Sequence, residues 1–411
     1  MDVTPAQAGV HGSARANGDV DSRLRGNDGL KEAAQRLGTG ESMRFSVLDG
    51  WRGVCALVVA LHHLHAESHL FPLPFLRHSW MFVDFFFVLS GFVIAQAYGK
   101  RLGDRRQFGR FVRRRFARLW PLHAAVLAAM VALEAAKAIA MSQAGLGANN
   151  PPFSGETSWP AVLTNLALVH ALGLHDMATW NFPSWSISTE FFTYLLFGLV
   201  AVAGLAGRGT VLLAAALAGL AVVAAFSREY LHTIEDFSLF RCVYGFFLGA
   251  LVHRLVMPRL GWRLPAAGLL ELGAVTLVVT FITTVDRDPP SLAAPVVFAM
   301  VVAVFAFEQG FLSRLLAARP IQALGAWSYS IYMVHTLLLV ALGRGVNLAE
   351  KLLQLRLTAP IEVNGQTRSL LVLGGPWAGD ILALVYLAAV VGVAALTWRW
   401  IEMPGRRWLS P

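Results

Sequence analysis

Charge is scarce in this sequence. Charged residues make up 14% of its 411 positions, against about a quarter in soluble domains, which excludes an ordinary water-soluble fold. Cysteine is nearly absent as well. The two present, Cys55 and Cys242, sit in apolar stretches without metal-type spacing, so they read as packing residues rather than as a disulfide or a thiolate site. Acidic side chains are the minority sign, 25 against 34 Lys and Arg. A basic excess can signal nucleic acid binding, but here the basic residues sit in short segments between apolar runs, where they act as a topology signal.

Hydrophobic side chains fill the chain, at 56% of all residues. Apolar stretches of spanning length, among them 211–226, 264–284 and 381–400, recur to the C-terminus, so no single cleavable signal peptide accounts for them. The expected fold class is all-α, a polytopic transmembrane helical bundle of ten spans: 47–64, 81–98, 119–140, 185–205, 210–226, 237–255, 264–284, 291–307, 321–342 and 380–401. A further apolar run, 161–174, has 14 residues and is too short for the hydrocarbon core. Leaving it out places 25 of the 34 Lys and Arg on the N-terminal side, which the charge bias makes cytoplasmic, together with both termini. Residues 141–184 then form an outward loop with a re-entrant or surface-lying segment.

Residues 1–42 differ in kind: polar, rich in Gly, Ala and Arg, with no apolar periodicity. They are expected to be a disordered tail, resembling the translation of a dispersed bacterial repeat, with translation starting at Met43. A transmembrane domain over 43–405 and a short cytoplasmic tail, 406–411, complete the expected organisation.

Ionisable side chains inside spans are costly and mark functional paths. Those singled out, within or at the ends of spans, are Arg52, His62, His63, Asp84, Glu190, Arg241, His335 and Glu402. At 100° per residue His63 returns to within about 20° of Arg52 and lies about 16 Å further along the axis, whereas His62 and His65 point elsewhere. A histidine neutral near pH 7 suits removal of a proton from a hydroxyl. An interfacial cluster of histidines or a core histidine bonded to a neighbour are the alternatives; a metal site is disfavoured because the histidines diverge. The segment Lys100 to Arg118 reads as a basic loop. There Arg115 and Arg118, three apart, form a clamp for a phosphate-bearing ligand, or simply a solvated topology signal. Trp185 and Glu190 come after Pro183 at the outer end of a span, and Tyr332 and His335 share a face of another.

Together these motifs resemble the membrane acyltransferase family 3, bacterial O-acetyltransferases of lipopolysaccharide, exopolysaccharide, peptidoglycan and other glycans. The resemblance begins at Leu48-Asp49-Gly50-Trp51-Arg52-Gly53 and reaches His63. It continues through Val83 to Phe92, Arg115-Phe116-Ala117-Arg118-Leu119-Trp120-Pro121, Trp185 to Glu190, Arg241 ahead of Phe246-Phe247-Leu248-Gly249, Ser328 to His335, and Ile401-Glu402-Met403-Pro404. Trp51 and Thr189 depart from it, standing where aliphatic residues are commoner. It implies catalytic roles for His63, Arg52 and Glu190, and donor binding by Arg115, Arg118 and Ser90. Asp84, Trp185, Arg241, Tyr332 and His335 fall on the acceptor side or are structural. It further implies acetyl-CoA as co-substrate with no bound cofactor or metal, a glycan acceptor, no nucleic acid, and a multi-pass place in the bacterial inner membrane. The hydrolase-like C-terminal domain of some members is expected to be absent. The competing class is a proton-coupled transporter of a glycan or acyl precursor, which ten spans and intramembrane charges also suit.

Overall fold

The computed structural model describes residues 44–144, 151–363 and 366–410; the expected tail, 1–42, lies outside them. Among the described residues the chain is helical apart from one two-stranded sheet. Eight helices of the described residues are long and apolar enough to cross a membrane. In chain order the main helices are α1 (Ser46–His62), α2 (Pro74–Arg77), α3 (Phe82–Tyr98), α4 (Arg105–Ala144), α5 (Trp159–Leu166), α6 (Trp185–Val202) and α7 (Gly209–Phe226). Next come α8 (Ser238–Val256), α9 (Ala267–Thr284), α10 (Ala294–Phe305), α11 (Phe311–Leu316), α12 (Arg319–Leu353), α13 (Pro376–Thr397) and α14 (Met403–Leu409).

Two of the ten expected spans come out short. α1 has 17 residues and α10 has 12, the latter because Pro289 and Pro290 hold the chain in a 3-10 turn before it. The run 161–174 yields only the eight-residue α5, far too short to cross. The basic segment expected as a loop is helical from Arg105 onward, since nothing there breaks a helix and arginine favours one. Pro121 therefore lies inside α4 rather than at its start.

Position in the bundle is set by burial. The helix Ser79–Tyr98 buries 72% of its most apolar stretch, whereas Gly209–Phe226 and Ala267–Thr284 bury 22%, so α3 is central and α7 and α9 present most of their surface to lipid. Glycine sets the tightest crossing. A Cβ on Gly91 would lie 1.8 Å from the carbonyl oxygen of Phe246, and one on Gly249 equally close to that of Val88, so α3 and α8 touch backbone to backbone. Gly53 and Gly325 bring α1 and α12 together in the same way. Both cysteines are buried and unpaired.

Between α12 and α13, where no structure is expected from hydropathy, lies an antiparallel hairpin, β1 (Thr358–Val363) and β2 (Gln366–Leu371). Its second strand bridges to Ala66 just after α1, at the end of the bundle opposite the basic turns of α4.

Candidate active site

Two cavities share part of their lining. The smaller, about 260 Å³, collects Arg52 from α1, Ser90 from α3, Arg115 and Arg118 from α4, Glu190 from α6 and Arg406 from α14. The larger, about 1430 Å³, is lined by His62, His63 and His65, by residues 226–229 and 232–237, and by Glu362 and Arg368 of the hairpin. Val83 and Tyr332 line both. Arg52 on α1 and His63 at its C-cap thus belong to different chambers that share these two lining residues.

The smaller cavity is basic. Arg118 and Arg406 share one carboxylate, that of the buried Glu402, at 3.9 and 3.7 Å, and Ser330 donates to its other oxygen at 2.9 Å. Glu402 ends a π-helical turn, Trp398–Glu402, a distortion that often marks functional positions. Arg52 pairs with Asp49 at 3.5 Å. Arg115 differs: its guanidinium donates to Tyr98 Oη at 3.3 Å and lies over the rings of Tyr98 and Tyr194, and its Nε is buried with no partner. No carboxylate neutralises it among the described residues. Four guanidiniums against the carboxylates of Asp49, Glu190 and Glu402 leave the cavity suited to an anion, phosphate above all.

Glu190 anchors a compact hydroxyl cluster. Ser90 Oγ donates to its Oε1 at 2.5 Å, Tyr194 Oη donates to the same oxygen at 2.6 Å, and the two hydroxyls are 2.9 Å apart. Gly91 lets α3 sit against α8 so that Ser90, its neighbour, is held at this depth.

His63 caps the end of α1. Its Nδ1 lies 2.9 Å from the carbonyl of Val59, and a carbonyl only accepts, so Nδ1 carries the proton and Nε2 keeps its lone pair. Phe182 packs against the ring edge at 5.7 Å between centroids. Helical phase separates His63 from His62 and His65 in sequence, yet all three line the larger cavity; α1 ends at His62, so its phase fixes neither His63, the C-cap, nor His65. His62 donates from Nδ1 to Leu76 at 2.7 Å. His69 instead meets Asp380 at 2.6 Å and Trp377, away from the cavity.

Other loop residues of this chamber are shifted toward their neutral forms. Burial first, and then the charge of Arg368, lowers His65 from the usual histidine range. Burial, then Arg287 and Arg241, holds His232 down at about 3. Burial pushes the Glu235 carboxyl upward. Burial thus disfavours the charged form of these three groups.

Asp84 and Arg241 form a bidentate pair at 3.0 and 2.7 Å, both almost fully buried. The guanidinium is sandwiched by Trp80 at 5.2 Å and Trp185 at 5.1 Å. Trp185 therefore presents a face to Arg241, and the pair ties α3 to α8 beside the larger cavity. Tyr332 Oη donates to the carbonyl of Pro183 at 3.0 Å and lies 2.9 Å from Ser186 Oγ, fixing the wall between the chambers. His335, three residues on, is fully buried and lines neither chamber.

Sequence reasoning missed Arg406 and Tyr194. Arg406 fell in the expected tail, but the chain is helical to Leu409 and carries it into the cavity. Tyr194 is one turn beyond Glu190, a spacing that places both on one helical face.

Over 90 residues, 22% of this chain, the sequence is 49% identical to protein 2 in the picA locus of Rhizobium radiobacter, spanning 45% of that protein's length. Over 324 residues it is 29% identical to acyltransferase MdmB of Streptomyces mycarofaciens, covering 71% of this chain and 78% of the relative. No solved structure matches. The family model of the acyltransferase 3 group, described as an acyltransferase domain, matches residues 45–399, most of the chain, and the protein belongs to that family.

Proposed function

We propose that this membrane acyltransferase moves an acetyl group from cytosolic acetyl-CoA to a hydroxyl of an envelope or exported glycan, with His63 as general base. One observation carries the reading: a basic cavity built for phosphate and a large cavity bearing a lone-pair imidazole meet at Val83 and Tyr332. The donor's phosphates engage Arg115, with Arg118, Arg406 and Arg52 around them, and its pantetheine arm reaches past Tyr332 toward His63. Nε2 of His63 takes the proton of the acceptor hydroxyl, the oxygen attacks the thioester carbonyl, and the carbon–sulfur bond breaks to release the thiol toward the basic cavity. The Ser90–Glu190–Tyr194 cluster lines the arm's route. The chamber's size suits an acceptor of several rings, since about 300–1,000 Å³ holds an ordinary small ligand.

In this proposal α1 and α10 join the eight long helices to give ten crossings, with both termini and the basic end of α4 cytoplasmic in the bacterial inner membrane. The test is purified protein with labelled acetyl-CoA and envelope glycans, reading thiol release and label in the glycan. His63→Ala is expected to lower transfer by about a hundredfold or more while donor binding stays intact. Transfer at near wild-type rate in that variant rejects the base, and glycan movement without thiol release points to a transporter.

A further inference from the structure

Glu402 lines neither cavity, yet its carboxylate meets two guanidiniums that do. Nη1 of Arg118 and Nη1 of Arg406 approach the same oxygen, Oε1, at 3.9 and 3.7 Å. These are ion-pair distances, well beyond the about 2.7–2.9 Å of a charge-assisted hydrogen bond. Oε2 is occupied from α12, by the hydroxyl of Ser330 at 2.9 Å. For a carboxylate only 1% exposed, one hydrogen bond and two loose ion pairs are a costly arrangement that needs a reason. The guanidiniums are equally underused. Among the described residues Arg118 makes no hydrogen bond, and Arg406 makes one long contact of 3.8 Å to the sulfur of Met403. Their N–H donors are unspent, and both side chains line the basic cavity. Other carboxylates there are engaged elsewhere: Glu190 by Ser90 and Tyr194, Asp49 by Arg52.

The backbone fixes this spacing. Arg118 lies on α4 three residues before Pro121, and a Cβ on Gly405 of α14 would fall 2.5 Å from the Cβ of that proline, so glycine lets α14 close on α4 at this point. Arg113 Nε then donates to the carbonyl of Leu409 at 2.9 Å, tying the far end of α14 to α4. The π turn Trp398–Glu402 sets the carboxylate between the two helices. We infer that Glu402 is a positioning residue of the donor site, holding Arg118 and Arg406 together at ion-pair distance with their N–H groups left for a phosphate of the donor. The inference rests on donor phosphates entering the basic cavity. A fixed carboxylate behind the pair offsets the repulsion between two like charges, and because it takes no hydrogen bond from either, an arriving phosphate has none to break. The two forks are thus preorganised for the ligand.

The test measures equilibrium binding of labelled acetyl-CoA and of inorganic pyrophosphate to the purified full chain, with the unfolding midpoint in detergent as a check on folding. Glu402→Gln, which keeps an acceptor for Ser330 and removes only the charge, is expected to weaken both ligands by about tenfold. Ser330→Ala keeps every charge but frees the carboxylate to turn, and is expected to weaken both by a smaller factor. In an Arg406→Ala background the effect of Glu402→Gln is expected to shrink to about threefold or less, the coupling that a double-mutant cycle reads. A packing role gives instead a lowered midpoint and the same loss of binding with or without Arg406, and that result overturns the inference. Unchanged binding in Glu402→Gln overturns it, and so does tighter binding, since the carboxylate then only competes with the phosphate. If the unmodified protein binds pyrophosphate but not acetyl-CoA, the donor reading falls while the role of Glu402 is still read from pyrophosphate; if it binds neither, both fall.

Discussion

Among the described residues, Arg115 is the guanidinium of the smaller cavity that pairs with no carboxylate and is held by aromatic faces and one phenol. A charge so placed is available to a ligand, and a charge-assisted hydrogen bond is worth about 1.5–3 kcal/mol. Arg115→Ala is accordingly expected to raise the donor KM by about tenfold to a hundredfold with little change in kcat, and donor-dependence kinetics check it. At the other end, His232 stacks edge-on against Trp80 at 4.9 Å and is held down at about 3 by burial and then by Arg287 and Arg241. Because its folded value lies below that of a free histidine, about 6.5, the stability it contributes is whole above that pH and is lost as pH falls toward about 3. Acidification over this window is expected to change the fluorescence of Trp80 as loop 227–237 loosens, and His232→Gln to abolish that component. Legibility at this scale was uneven. Arg52, Ser90, Arg115, Arg118 and Glu190 were readable from spacing and resemblance, and the fold gathers them. Arg406 was not, because a cytoplasmic topology charge and a ligand-facing charge look alike in sequence.

Among elements, the crossing of α3 and α8 does most to shape the site. It rests on two glycines and on one buried ion pair, Asp84 with Arg241. Breaking such a pair leaves an uncompensated charge and costs about 3–5 kcal/mol. Asp84→Ala and Arg241→Leu are each expected to lower the unfolding midpoint in detergent by that equivalent, while the double change to apolar residues restores much of it. The helices were legible because long apolar runs leave few options in lipid. Their ends were not: α4 begins well before its apolar stretch, since arginine propagates a helix as readily as leucine does. The hairpin β1–β2 was overlooked although Asn364-Gly365, a dipeptide that marks hairpins, stands between its strands. In a chain dominated by apolar helices, six-residue strands carry too little hydropathy to stand out.

For the whole molecule the open quantity is orientation. Single cysteines placed at Arg208 and Arg263 are expected to react with a membrane-impermeant thiol reagent only from the cytoplasmic side, and ones at Arg228 and Arg356 only from the outside, in a background lacking Cys55 and Cys242. Labelling of Arg208 and Arg228 substitutions from the same side overturns ten crossings. The wall at Val83 and Tyr332 has a further consequence. If each cavity admits water and ions from its own face, the membrane voltage does not fall evenly over the hydrocarbon thickness but collapses across those two side chains. A unit charge moving through that layer then exchanges about 2.3 kcal/mol with every 100 mV, so a proton or thiolate displaced there during turnover couples the chemistry to the cell's electrical potential, and clamping that potential in vesicles becomes a way to speed or slow the enzyme.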